Sequence, residues 1–122
     1  MKIENLIKSI GKVFSRKRLF TRTADDTEIS AEEAKRILAQ DSNAILLDVR
    51  SIAEYNEGHI LGAIVITDYE LEKDILRVIT DKNETIMVYC TKGARSKKAV
   101  TLLRSLGYMN SYSITGGLES WY

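Results

Sequence analysis

The sequence predicts one α/β domain with a central, mostly parallel sheet flanked by helices. At 122 residues the chain has the length of a single domain with one hydrophobic core. Short apolar runs alternate with amphipathic segments of about ten residues, the order typical of parallel strands joined by crossover helices. Hydrophobic residues make up 44% of the chain and charged residues 29%, which indicates an ordinary globular protein and excludes a disordered one.

The N-terminal segment differs in charge from the rest of the chain. Residues 1–22 hold seven basic residues and one acid, a net charge of +6, whereas residues 23–122 hold eleven basic and sixteen acidic residues, a net charge of −5. Apolar residues recur at helical spacing from Ile3 to Phe14, and a polar stretch follows. We therefore divide the chain into a basic amphipathic arm with a linker, residues 1–27, and a domain over residues 28–122.

The domain elements follow from capping signals and from the period of the apolar residues. Ser30 and Glu33 have the spacing of a capping box, which predicts a helix start at Ala31. Glycines and short polar clusters separate the later segments, since the chain has no proline. The predicted elements are, in order, a helix at 31–39, a strand at 44–49, a short helix at 52–56 ending at Gly58, a strand at 63–67, a helix at 70–79, a strand at 85–89, a helix at 96–106 ending at Gly107, a strand at 111–114, and a helical turn before Trp121, which we expect to anchor the core.

The single cysteine, Cys90, lies where the predicted strand at 85–89 ends. Ligands bind at the carboxyl ends of parallel strands, and a helix N-terminus carries free N–H groups and a partial positive charge. A thiol placed there loses its proton easily, and Lys92 and Arg95 are expected to act in the same direction. The pattern predicts a cysteine nucleophile that faces an anionic substrate. One cysteine forms no internal disulfide, and without a Cys/His cluster we expect no metal and no cofactor.

Four segments, in this order, resemble the single-domain rhodaneses, or thiosulfate sulfurtransferases: 47–50 (LDVR), 54–63 (EYNEGHILGA), 90–96 (CTKGARS) and 115–121 (TGGLESW). The resemblance implies a rhodanese-like fold in which Cys90 carries a persulfide and Arg95 orients the sulfur donor. Backbone N–H groups of the loop are suited to an anion-binding nest. The remaining loop residues are therefore the expected binding residues: Thr91, Lys92, Gly93, Ala94 and Ser96.

Six further residues in these segments are interpreted as structural support: Asp48, Arg50, Glu54, His59, Gly116 and Gly117. We expect Asp48 to bond loop backbone and Arg50 to pair with an acid such as Glu54. In the family pattern His59 belongs to a structural motif, and sulfur transfer to a thiolate needs no general base. The two glycines are expected to form a tight turn beside the active loop.

These features predict a sulfurtransferase. Sulfane sulfur would pass from thiosulfate or a protein persulfide, through Cys90, to a thiophilic acceptor such as cyanide in vitro or a thiol in the cell. Two alternatives stay open: a non-catalytic binding or regulatory module of the same fold, and a redox enzyme or cysteine phosphatase on that scaffold. By the resemblance, the six-residue loop 90–95 favours sulfur, because related phosphatases have one residue more.

The charge distribution and the lack of a long apolar run limit the expected partners and the expected cellular compartment. An acidic domain repels nucleic acid, so none is expected as a partner, whereas a protein carrying a thiol or persulfide is. Three roles stay open for the arm: docking on the domain, on a partner protein or on a membrane surface. No apolar run in the sequence has the length of a transmembrane span. A cytoplasmic protein is expected, and the arm leaves peripheral membrane binding or organellar targeting open.

Overall fold

The computed structural model describes residues 26–122, so the predicted amphipathic arm lies outside the described residues apart from its last two. Its elements are β1 (Glu28–Ile29), α1 (Ala31–Gln40), β2 (Ile45–Asp48), α2 (Ile52–Glu57), β3 (Ile64–Val65), α3 (Leu71–Val78), β4 (Ile86–Tyr89), α4 (Ala94–Ser105), β5 (Ser111–Ile114) and a terminal 3-10 helix (Gly117–Ser120). None of the helices in this range is long and apolar enough to cross a membrane.

The five strands form one sheet in the order β1-β5-β4-β2-β3, and every pairing is parallel. The predicted α/β fold with a mostly parallel sheet is confirmed. In the central strands, Leu47 pairs with Val88, which in turn pairs with Ser113. The carboxyl ends of β2, β4 and β5 therefore meet at one edge, and this edge carries the loop that starts at Cys90.

Strand β1 was not predicted, because two residues are too few to show a strand period. Its pairing of Ile29 with Ile114 joins segments far apart in sequence, and it covers the outer edge of β5. This places the first residues of the domain beside its last strand.

Alternate residues of the central strands face two separate cores. Val88 and Cys90 belong to one core, where α3 and α4 pack, whereas Met87 and Tyr89 belong to the other, where α1, α2 and the terminal 3-10 helix pack. The sheet is thus covered on both faces, as its continuous apolar strands predict. Trp121 is half-buried and packs against the second core, with Lys35 Nζ 4.9 Å from its ring centroid.

Helix α4 begins at Ala94, two residues earlier than predicted. Gly93 immediately before it has φ +119°, a left-handed conformation that lets the chain turn sharply from the loop into the helix. As a result Arg95 and Ser96 lie in the first turn of the helix, where backbone N–H groups have no partner inside the helix. This local shift decides what surrounds the cysteine.

Candidate active site

The Cys90 sulfur lies at the bottom of the loop and accepts hydrogen bonds from the loop backbone. The N–H of Gly93 is 3.1 Å from Sγ and the N–H of Ser96 is 3.4 Å away. The residue is 1% exposed. Burial pushes the thiol pKa up, but the hydroxyl of Ser96 and the N–H groups of Ser96, Gly93 and Arg95 outweigh it, so the pKa of Cys90 is lowered.

The groups that chiefly favour the thiolate are neutral donors. The leading causes that lower the pKa of Cys90 are the Ser96 hydroxyl and the N–H groups of Ser96, Gly93 and Arg95, which agrees with the expected effect of a helix N-terminus. The charge of Arg95 also interacts with the Cys90 thiolate. Lys92 is exposed, and the contribution expected from its ammonium stays a prediction.

A second buried serine, Ser113 on β5, supports the hydroxyl of Ser96. The two Oγ atoms are 2.8 Å apart, and Ser96 Oγ lies 3.6 Å from Sγ and 3.1 Å from the carbonyl oxygen of Gly93. A serine hydroxyl has one proton to donate. When Ser113 donates to Ser96, the single Ser96 proton has two acceptors within reach, the Gly93 carbonyl oxygen and the thiolate.

Sequence reasoning placed Ser96 in the site and missed Ser113. In the sequence Ser113 shows only as a small polar residue in a short strand. Its alternation with Ser111, both of them buried, could have indicated an inward-facing polar position.

The turn formed by Gly116 and Gly117 supports the active loop from behind. The N–H of Leu118 donates to the Cys90 carbonyl at 2.8 Å, and the N–H of Glu119 to the Thr91 carbonyl at 3.3 Å. Gly117 has φ +63°, and a Cβ there would lie 2.5 Å from both carbonyl oxygens. Only glycine lets the two segments approach this closely.

The side chain of Arg95 is paired with a carboxylate. Arg95 Nη1 lies 2.8 Å from Glu54 Oε1, and Nη2 lies 3.1 Å from Oε2 and 3.2 Å from the Thr91 hydroxyl. The bond from Arg95, followed by one from the N–H of Ser51, lowers the pKa of Glu54 to about 2. Both side chains of the pair remain about a third exposed, at 38% and 35%.

Arg50 pairs with an acid, as expected, but the acid is Asp48 and not the Glu54 given as the example. Arg50 binds Asp48, two residues before it, with Nε 3.0 Å from Oδ1 and Nη2 2.7 Å from Oδ2. Asp48 also accepts the Arg50 N–H, and Arg50 donates to the carbonyl of Gly58 at 2.8 Å. Arg50 is therefore committed at the end of β2, and Glu54 on α2 is left to bind Arg95.

The capping box at the start of α2 explains why Glu54 points toward the loop. Ser51 Oγ accepts the N–H of Glu54, while Glu54 Oε1 accepts the N–H of Ser51. The carboxylate is thus held at the N-terminus of α2, at the same sheet edge as the loop. The spacing of Ser51 and Glu54 was a visible signal for this box, and our sequence reasoning did not use it.

His59 and Ala94 make no contact with the sulfur. The ring of His59 stacks on Tyr55, with centroids 3.6 Å apart, and its Nδ1 lies 2.8 Å from the Tyr55 carbonyl oxygen. Ala94 and His59 are both exposed. Among residues 26–122, no three His, Cys, Asp or Glu side chains lie together so that they could hold a metal ion.

The geometry gives a nucleophile whose charge is stabilised before any substrate binds. When this sulfur attacks an S–S bond, the bond that breaks leaves its electron pair on the departing group, and when Cys90 is later released as a thiolate the same amides hold its charge again. The arrangement suits a covalent intermediate on sulfur whose charge is also −1.

Comparisons with known proteins agree with the fold and the loop. The family model described as the rhodanese-like domain matches residues 30–122. The thiosulfate sulfurtransferase GlpE of Tolumonas auensis is 33% identical over 95 residues, which cover 78% of this chain and 87% of that protein. The human single-domain sulfurtransferase TSTD1 superposes with a TM-score of 0.70 at 29% identity, covering 78% of this chain and 94% of that one.

A different enzyme contains a similar domain. The tRNA uridine(34) hydroxylase of Sodalis glossinidius is 35% identical over 94 residues, which cover 74% of this chain and 26% of that protein. This chain therefore spans about a quarter of that hydroxylase. Domains similar to this chain thus occur in proteins of more than one named activity.

Proposed function

The chain belongs to the rhodanese-like domain family, and on that premise we propose that it is a sulfurtransferase that carries sulfur on Cys90. One observation carries this proposal. The buried Cys90 sulfur accepts N–H groups from Gly93 and Ser96 and lies near the Ser96 hydroxyl, so its thiolate is stabilised by preorganised neutral donors.

The proposed reaction has two displacement steps. The thiolate attacks the outer sulfur of thiosulfate, a new S–S bond forms, the donor S–S bond breaks, and sulfite leaves with the electron pair. The Cys90 persulfide anion is then attacked at its outer sulfur by a thiophilic acceptor, and the Cys90 thiolate leaves. Cyanide would be released as thiocyanate, and a thiolate as a new persulfide. Neither step needs a base, and His59 stacks on Tyr55 and bonds its carbonyl oxygen.

The burial of the cysteine supports a narrow sulfur donor. At 1% exposure, Cys90 is reached only by a group that presents its reacting atom on a slender tip. Thiosulfate and persulfides both end in a single sulfur atom. A phosphate monoester presents a tetrahedral group with three oxygens around phosphorus, which fits this short loop poorly and makes the phosphatase alternative weaker.

The intact loop also weighs against a purely binding module. A module that only binds a partner has no use for a buried thiol whose pKa is lowered. Proteins with thiols or persulfides are the partner class that suits the proposed reaction.

Incubation with thiosulfate followed by intact-mass measurement tests the proposal. The wild-type protein, reduced and freed of reductant, is expected to gain the mass of one sulfur atom, and added cyanide should remove it and release thiocyanate. Cys90→Ser is the matched control and should gain nothing. No gain by the wild type from thiosulfate and none from cysteine persulfide, or an equal gain by the serine variant, would overturn the proposal. Hydrolysis of an aryl phosphate without sulfur uptake would favour the phosphatase.

A further inference from the structure

The guanidinium of Arg95 has no unoccupied two-point edge. Its outer edge, Nη1 and Nη2, holds both carboxylate oxygens of Glu54 at 2.8 and 3.1 Å. The second proton of Nη2 is directed to the Thr91 hydroxyl at 3.2 Å, so the edge formed by Nε and Nη2 is engaged as well. An oxyanion that binds the outer edge of Arg95 has to displace Glu54, and one that binds the edge of Nε and Nη2 has to displace the Thr91 hydroxyl while Glu54 stays beside it.

The pair also lowers the charge that a donor meets. Glu54 remains ionised throughout the neutral range, because its pKa is about 2. Arg95 and Glu54 together are neutral at the mouth of the loop, and Asp68 lies close enough to add to the negative potential at Arg95. A dianion gains little from approaching this group unless the carboxylate moves away.

The anchoring of Glu54 makes that displacement costly. Its Oε1 accepts the N–H of Ser51, which ties the carboxylate to the start of α2 as well as to Arg95. Glu54 and the sulfur donor therefore compete for Arg95. Glu54 has the advantage, because it is tethered beside the guanidinium whereas the donor arrives from solution.

We propose that Glu54 is a specificity-determining residue that, by occupying Arg95, disfavours dianionic oxyanion donors such as thiosulfate and leaves persulfides as the better sulfur donors. This inference rests on the proposed sulfur transfer and names its donor class. Glu54 acts through Arg95 and does not touch the transferred sulfur, so it is a positioning residue.

A persulfide donor needs no contact with Arg95. The Cys90 thiolate attacks the outer sulfur of the donor R–S–S⁻, the new S–S bond forms, and the donor S–S bond breaks to release R–S⁻, with the charge unchanged at −2. The donors around Cys90 Sγ, where this exchange takes place, are the amides of Gly93 and Ser96 and the Ser96 hydroxyl, and none of them is a cation. The substituent R carries no sulfonate group that must find a guanidinium.

The test compares two donors on Glu54→Gln. The glutamine keeps an oxygen for the N–H of Ser51 and Arg95 Nη1, but its amide nitrogen cannot accept from Nη2. The KM for thiosulfate is expected to fall about tenfold with kcat nearly unchanged. The reason is that the contact between Arg95 Nη2 and the Glu54 carboxylate, which competes with thiosulfate for the guanidinium, is lost. The kinetics with cysteine persulfide should change less than about twofold, since Arg95 takes no part in that reaction.

Two further variants separate competition at Arg95 from other effects. Glu57→Gln removes the same charge from an exposed position on the same helix, and it should leave the KM for thiosulfate unchanged. In the double variant Glu54→Gln/Arg95→Ala, the gain with thiosulfate should disappear, because the freed guanidinium is gone. A merely structural role of Glu54 would not produce a change confined to one donor.

The outcomes distinguish this inference from the proposed function. Sulfur uptake by Cys90 from neither donor would overturn the proposed function and this inference with it. Uptake from both donors with an unchanged thiosulfate KM in Glu54→Gln would overturn the inference alone. An equal fall of KM in Glu57→Gln would also overturn it, because the effect would then be one of general charge.

Discussion

Two arginine–carboxylate pairs stand at the same edge of the sheet, and they differ in burial. Asp48 and Arg50 are 0% and 5% exposed, and their pair is closed off at the end of β2. Arg95 and Glu54 are 38% and 35% exposed, and their pair lies at the mouth of the loop. The chemistry of the two contacts is the same, but only one of them can exchange its partner with something from solution.

Burial decides which pair is structural and which is adjustable. Removing one member of a buried pair leaves an uncompensated charge in a medium that cannot solvate it. The same removal at a partly exposed site leaves a charge that water can solvate, so the loss of stability is small. The Asp48–Arg50 pair therefore holds the chain in place after β2. The Arg95–Glu54 pair is free to exchange its partner with a substrate.

The largest expected effect is on stability, from Asp48→Asn. This change leaves the Arg50 charge buried without a counterion and should lower the free energy of unfolding by about 3–5 kcal/mol. Denaturant unfolding followed by circular dichroism measures it. If the single variant does not fold, replacing both members by apolar residues should recover much of the lost stability, since no unpaired charge then remains.

The matched control for this comparison is Glu54→Gln, which should lower the free energy of unfolding by about 1 kcal/mol or less. In the folded wild-type protein the pKa of Glu54 is about 2, below its ordinary value of 4.5. The stability that the ionised Glu54 carboxylate contributes is therefore present above pH 4.5 and is lost as the pH falls toward 2. Equal losses in the two variants would show that burial does not separate the pairs.

The next effect is on activity, from Arg95→Ala. The variant should lower kcat/KM for thiosulfate by about 10- to 100-fold, because a donor that displaces Glu54 then finds no guanidinium and meets an unpaired carboxylate. His59→Ala should change kcat/KM by less than about threefold, since His59 stacks on Tyr55 and not on the loop. Steady-state kinetics with thiosulfate and cyanide measure both. Comparable losses would mean that His59 has a role at the sulfur that its contacts do not indicate.

The smallest effect concerns the thiol, which is held by neutral groups. Ser96→Ala removes the hydroxyl that favours the thiolate, so the pKa of Cys90 should rise. Because the thiolate is the reacting form, the pH profile of persulfide formation should move to higher pH by the same amount. Ultraviolet absorbance of the thiolate measures the pKa directly.

Ser105→Ala is the control for this prediction, because its hydroxyl lies on the same helix and bonds only the Leu102 carbonyl. It should leave the pKa of Cys90 unchanged. A pKa that stays the same in Ser96→Ala would show that the backbone amides alone stabilise the thiolate.

The fold and the position of the nucleophile were open to sequence reasoning because their signals are local. The apolar runs at β2 and β4 predicted parallel strands, and the glycine-containing loop after β4 predicted where Cys90 would lie. The start of α4 was misplaced by two residues, since the left-handed turn at Gly93 is decided by how the loop packs against Gly116 and Gly117. The short β1 was missed because its pairing partner lies more than eighty residues away in the chain.

What the sequence alone determined is therefore the α/β architecture and a loop in which a cysteine meets a helix N-terminus. The choice of partners was decided only by the tertiary structure. Arg50 binds Asp48 at the end of β2, Glu54 reaches Arg95 across 41 residues of chain, and Ser113 reaches Ser96 across 17. The physical reason is that a helix or strand is specified by the period of its own residues, whereas an ion pair or a shared proton depends on distances and burial that exist only after the elements have packed.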